Sequence, residues 1–232
     1  MIDRDRFLEN LDGVRERIAR AAERAGRDPA SVTIVAATKT VPSEPLRWAV
    51  EAGVVSIGEN YVRELREKRP EVPGASWHYV GTLQRGNATQ VADLADVVET
   101  VSGERAARRL AARAARAQRT LDALLEVDFT GERTGVPPED APGFADDVVA
   151  LDGLRLTGLM TIAPLDPDPE AARPWFARLR ELRDGIRERH PGVVETSMGM
   201  SLDYEVAVEE GATMVRIGTA LFGPRPTERG GG

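Results

Sequence analysis

Short apolar runs alternate with amphipathic helical segments along this chain, and they do so eight times. The expected strands are Val32–Ala37, Val54–Ile57, Trp77–Val80, Val97–Val101, Leu121–Asp128, Leu154–Met160, Val193–Ser197 and Thr213–Ile217. Most read as continuous apolar runs rather than an alternating pattern, as strands buried on both faces of a parallel sheet do. Parallel strands need long crossovers, and helical segments fill every gap. A leading helix over 3–26 carries Phe7, Leu11, Val14 and Ile18 at helical spacing and stops at Gly26. Further helices are expected over 43–52 with Ser43 as N-cap, 60–69, 87–94, 103–118, 138–150, 169–189 and 203–210. Eight βα units favour a closed barrel over an open doubly wound sheet. The expected architecture is a single-domain (β/α)8 TIM-type barrel with an extra N-terminal helix, spanning 1–224. A Pro/Gly-containing tail over 225–232 is expected to be flexible.

The chain has 232 residues, which suits one such barrel, and no cysteine, which removes disulfides and thiolate chemistry. No apolar run reaches the roughly 18 residues of a membrane span, and the charged N-terminus has no signal-like core. A cytoplasmic protein is expected. The formal net charge of −7 disfavours generic nucleic-acid binding. The arginine-rich stretch 104–119 reads as a solvated helix face. No histidine and carboxylate set has metal-ligand spacing, and no phosphate-binding glycine fingerprint occurs.

The basic residues are almost all arginine. Lysine occurs only at Lys39 and Lys68, among 31 basic residues. Only lysine can form a Schiff base, because guanidinium is not a usable amine nucleophile. An apolar strand delivers Lys39 to its C-terminal end, where a barrel gathers its chemistry. Partial desolvation there would favour a neutral, nucleophilic amine. Lys68, inside Arg66-Glu67-Lys68-Arg69, reads as a solvated surface residue.

The seventh and eighth loops suit an anion. Gly199 and Gly218 permit close backbone approach, Ser201 and Thr219 add hydroxyls, and helices can start just after both. Ordinary turn glycines and helix caps would look the same. His78 lies within the third strand and reads either as an acid/base residue or as a satisfied core histidine.

Taken in order, the mouth residues resemble the YggS/PROSC family of pyridoxal 5′-phosphate (PLP) homeostasis proteins. The matching motifs are Thr38-Lys39-Thr40, Gly58-Glu59-Asn60-Tyr61, Trp77-His78-Tyr79-Val80-Gly81, Leu83-Gln84 and Gly158-Leu159-Met160. Ser197-Met198-Gly199-Met200-Ser201 with Asp203, and Met214 to Thr219, complete the set. The resemblance runs from the leading helix to Pro224. It implies a barrel like that of alanine racemase, with PLP on Lys39 as a Schiff base and Arg216 opposite the pyridine nitrogen. It also implies phosphate contacts from Ser201, Gly218 and Thr219, with Asn60 near the cofactor. It implies a carrier or buffer of PLP with no catalytic residue, and apo-PLP enzymes are the expected recipients. No apolar surface stripe is visible in the sequence, so a monomer is expected. A stand-alone amino-acid racemase, with Tyr61 or His78 as a second base, is the alternative. Racemases of this fold carry a further β-domain, and this chain is too short to include one. An unrelated phosphosugar-type barrel is a more distant reading. The chain departs from the family at Arg85 and Arg133, where many members carry lysine. Arginine there could attract a secondary phosphate but could not form an imine.

Overall fold

The computed structural model describes residues 2–224. The expected tail over 225–232 lies outside the described residues. A leading helix α1 (Arg4–Arg24) is capped by the Asp3 side chain, which accepts from the Arg6 N–H at 2.8 Å. The strands follow as β1 (Thr33–Ala37), β2 (Ser56–Glu59), β3 (Ser76–Tyr79), β4 (Val97–Val101), β5 (Leu121–Glu126), β6 (Leu154–Met160), β7 (Glu195–Ser197) and β8 (Met214–Ile217). The helices between them are α2 (Ser43–Glu51), α3 (Val62–Lys68), α4 (Ala88–Leu94), α5 (Glu104–Arg116), α6 (Ala141–Val149), α7 (Arg173–Arg187) and α8 (Tyr204–Glu209); α9 (Thr219–Phe222) follows β8. All strands are parallel, in sequential order, and β8 closes on β1 through Val35↔Arg216 and Ala36↔Ile217. The expected (β/α)8 barrel with its extra helix is the fold.

Two local expectations shift. Ser43 is the first helical residue rather than the cap. Pro42 takes the cap position in extended conformation and offers no side-chain bond, because a proline ring has no acceptor to give. The expected helix over 169–189 starts with a 3-10 turn at Pro169–Ala172 before α7 begins.

The core has two parts. The larger lies between the sheet and its helices, where Phe7, Leu11, Leu46, Leu65, Trp77, Leu110 and Phe176 are all but inaccessible. The smaller comprises Val97, Leu124 and Met160, with Ile162 and Met214 against them. These come from β4, β5, β6 and β8, which identifies them as filling of the barrel interior. Strand side chains alternate faces, so the residues two further along β4, β5 and β8 also point inward. They are Glu99, Glu126 and Arg216, all buried. The interior is therefore layered: apolar below, ionisable above, at the C-terminal ends of the strands.

Candidate functional site at the barrel mouth

Lys39 sits two residues beyond β1, half-buried, with its Nζ 5.1 Å from the centroid of the Tyr61 ring. The residues expected to act with it lie on one contiguous arc of strand ends, in the order β7, β8, β1, β2. Ser201 follows β7, Gly218 and Thr219 follow β8, and Asn60 follows β2. Gly218 is packed against β1: a Cβ added there would stand 3.2 Å from the Ala37 carbonyl oxygen. The Ser201 hydroxyl oxygen accepts from the Gly218 N–H at 3.3 Å and the Ala220 N–H at 3.2 Å. Backbone donors at the start of α9 and a serine hydroxyl thus converge at the end of β8, the strand paired with the one that delivers Lys39, and this donor set suits an anion. Thr219 is exposed at the same turn. Gly199 has φ +88°, and a Cβ there would meet Ala207 Cβ at 2.5 Å, so this loop needs glycine. Half-buried Asn60 is pressed by Gly81, whose added Cβ would lie 1.9 Å from the Asn60 carbonyl oxygen.

Arg216 forms the floor. Its Nη1 donates to the Ser197 hydroxyl at 2.6 Å and its Nη2 to the Thr161 carbonyl at 2.8 Å. Ser197 in turn donates to Glu99 Oε2 at 2.5 Å, and His78 Nδ1 bonds Glu99 Oε1 at 2.7 Å. This bond gives buried His78 a carboxylate partner, which either reading of it accommodates. Burial alone would push the Glu99 carboxyl up. The His78 bond, the charges of His78 and Arg216 and the Ser197 hydroxyl outweigh it and hold the group below its ordinary value of 4.5. Burial also pulls Arg216 below the usual guanidinium range, against the charges of Glu99, Asp203 and Glu126. Glu126 and Asp203 are pushed up by burial, with Arg216 opposing.

The reading of Lys68 as a solvated residue is corrected. Lys68 is 7% exposed. Its Nζ bonds Glu59 Oε1 at 2.5 Å, Glu64 Oε2 at 2.7 Å and the Thr38 carbonyl at 2.9 Å. The cause is helical spacing: Glu64 and Lys68 are four apart and share the face of α3 that packs on the sheet. Arg63, Arg66 and Glu67 take up the surface, and they gave the segment its solvated look.

Glu99, Glu126, Glu59 and Glu64 were missed as site residues. Glu99 sits in Val97–Val101, where all five positions are buried, so no alternation marks it. A charged residue inside an otherwise apolar strand was the available signal. Of the two departures at the loops, Arg85 and Arg133 are both exposed. Arg133 adds a positive charge near Glu126, and its backbone N–H donates to Asp128 at 2.7 Å.

A closed barrel with an amine-bearing mouth beside a donor-rich turn defines the class. A family model described as the alanine racemase N-terminal domain matches residues 3–226. The pyridoxal phosphate homeostasis protein of Aquifex aeolicus is 40% identical over 222 residues, 94% of this chain and 97% of that protein. That of Pseudomonas aeruginosa is 41% identical over 223 residues, 94% and 96% of the two chains. PipY of Synechococcus elongatus, solved with PLP bound, is 33% identical at a TM-score of 0.79, matching 89% of this chain and 100% of PipY. The chain belongs to the pyridoxal phosphate homeostasis protein family.

Proposed function

We propose that this chain binds PLP reversibly through Lys39 and serves in PLP homeostasis as a carrier and buffer. The observation that carries this is half-buried Lys39 at the end of β1, with the Ser201, Gly218 and Ala220 donor cluster at the ends of the neighbouring strands. Membership of a family whose relative PipY was solved with PLP supports it. The residues fit the group chemically. Backbone N–H groups of 218–220 and the hydroxyls of Ser201 and Thr219 would take the phosphate. Arg216 would face the pyridine ring, and Asn60 would border it. PLP supplies an aldehyde that a lysine amine can hold as a reversible imine, and a ring that can act as an electron sink.

The floor argues against transamination and suits storage or racemase-type chemistry. A guanidinium beside the ring nitrogen disfavours protonating it and weakens the sink. Ser197 and Glu99 fix that guanidinium in place. The resulting carrier would deliver PLP to apo-PLP enzymes in the cytoplasm. A monomer suits the surface: among the described residues, Val55, Tyr61, Val149, Leu165, Val194 and Leu202 are the large apolar side chains most exposed, and they are spread over several elements. No described helix is long and apolar enough to cross a membrane.

The test is an absorbance titration with PLP, with Lys39→Ala as control, followed by transfer to an apo-PLP enzyme. An imine band that disappears in Lys39→Ala, and reactivation of the recipient, are expected. Absence of the band in the wild type sinks the binding reading. Amino-acid racemisation well above that of free PLP overturns the carrier reading.

A further inference from the structure

Lys39 is the second residue of a tight turn. The Val41 N–H donates to the Thr38 carbonyl at 2.9 Å, closing the turn over Thr38–Val41. Thr40, its third residue, has φ +65°. That is the left-handed position of a type II turn, normally given to glycine or asparagine. A β-branched residue there is an outlier, and it persists only where its surroundings over-determine it.

The surroundings do so from one helix and one strand end. The Thr38 N–H donates to the Gly58 carbonyl at 2.9 Å, and Thr38 Oγ1 donates to Glu59 Oε1 at 2.6 Å. Glu64 Oε2 accepts from the Thr40 N–H at 2.9 Å. Lys68 completes the arrangement: one ammonium reaches both carboxylates and the Thr38 carbonyl that closes the turn. Positions 61, 64 and 68 form one stripe along α3 and its N-terminus. That stripe places the Tyr61 ring beside the Lys39 amine, Glu64 on the following amide and Lys68 on the preceding carbonyl.

We propose that Lys68 is a positioning residue for Lys39: through Glu59, Glu64 and the Thr38 carbonyl, it locks the strained turn that aims the Lys39 amine into the mouth. The proposal deepens the PLP reading and rests on it for its purpose. The clamp itself is a property of the turn and can be read without PLP.

The stripe also explains why a second lysine is retained in a chain that uses arginine everywhere else. An ammonium is a compact point donor that can serve three acceptors in different directions. A planar guanidinium fork is larger and cannot be placed on them in the same way.

The experiment compares wild type, Lys68→Met, Lys68→Met with Thr40→Gly, and Glu64→Ala. Amide exchange at Thr40 and Val41 is measured without ligand, and imine formation with PLP by absorbance. Binding of pyridoxamine 5′-phosphate, which has no aldehyde, reports the phosphate cradle alone. In Lys68→Met, exchange at these two amides should quicken by about tenfold or more. Imine formation should slow by roughly tenfold or more, as misplacing a reacting group does. Pyridoxamine 5′-phosphate affinity should stay within about threefold of wild type.

Thr40→Gly supplies a residue at ease in the left-handed position, so the double variant should recover most of the lost imine rate. Wild-type exchange and imine rates in Lys68→Met overturn the proposal. So does a double variant as slow as Lys68→Met, or a parallel loss of pyridoxamine 5′-phosphate binding. Should Lys68→Met fail to fold, Glu64→Ala carries the same test. It removes the Thr40 acceptor and one of the three Lys68 partners, leaving Glu59 and the Thr38 carbonyl in place, and unchanged exchange at Thr40 overturns the clamp. A wild type without an imine band sinks the PLP reading instead, and the exchange data still decide the clamp.

Discussion

Two buried polar networks flank the mouth, one on each side of the barrel wall, and they hold different things. The outer one, between the ends of β1 and β2 and helix α3, joins Lys68 to Glu59 and Glu64 at 2.5 and 2.7 Å and ties down main chain at Thr38 and Thr40. The inner one crosses the barrel from His78 through Glu99 and Ser197 to Arg216 and ties down side chains. Its full charges stand further apart, with Arg216 3.9 Å from Glu99 across the serine hydroxyl. A main-chain clamp sets where the amine stands. A side-chain relay sets which face the guanidinium presents. If the two networks did one job, variants in each would lose the same properties.

The largest difference should come from the outer network. Lys68→Met leaves two carboxylates against the sheet without their cation. Breaking a buried ion pair on one side costs about 3–5 kcal/mol. The lower end is expected here, because burial raises Glu59 above its ordinary 4.5, against the pull of Lys68 and Thr38, and the group can take up a proton. Urea unfolding of the two proteins measures it. A loss near zero would mean the cluster is solvated in solution.

Most of the fold was legible because hydrophobic periodicity reports it. Val97–Val101 and Leu154–Met160 were bounded as they stand, and the mouth position of Lys39 followed from Ala37 ending its strand. The networks were less legible because their signal lies in three dimensions. In a closed barrel both faces of a strand are buried, one by helices and one by the interior. Glu99 and Thr100 are therefore both buried, and sequence alternation cannot say which looks inward. Lys68 was misread for a related reason. A charged run on a seven-residue helix hides one inward-facing cation among outward-facing neighbours.

Gly81→Ala sharpens the comparison from a third side. Its methyl group would meet the Asn60 backbone at 1.9 Å, and backbone cannot rotate away. Overpacking of this kind costs about 1–3 kcal/mol. The shift is expected at Asn60, between the two networks. Chemical shifts of Asn60 and Tyr61 should move more than those of Ser197 or Thr40. Equal movement throughout would mean that the networks are mechanically one.

The two networks should also titrate in opposite senses. Glu59's folded value lies above its ordinary 4.5, so its contribution to stability is present below that pH and lost as pH rises through the folded value. Glu99's folded value lies below 4.5, so its contribution is present above that pH and lost as pH falls through the folded value. Glu59→Gln should flatten the decline on the higher side of 4.5, and Glu99→Gln the decline on the acid side. Unfolding free energies measured from pH 3 upward, in steps of about 0.5, would resolve the two limbs. Both variants flattening the same limb would contradict the assignment.

The smallest expected effect belongs to Tyr61→Leu. The variant keeps apolar bulk beside Lys39 but removes the ring face 5.1 Å from its amine. Tyr61 is 48% exposed, and a cation–π contact at such a site is worth about 0.5–1 kcal/mol. Imine formation should therefore slow by no more than about fivefold. The melting temperature should hold, because the ring buries little and caps no backbone group of the turn. The comparison with Lys68→Met is the informative part. Within the Lys39 turn, Tyr61 faces the lysine side chain and Lys68 bonds the backbone at the Thr38 carbonyl. If the leucine variant were as slow as Lys68→Met, the amine would be placed by its own side-chain contact, and the strained Thr40 turn would have no part in aiming it.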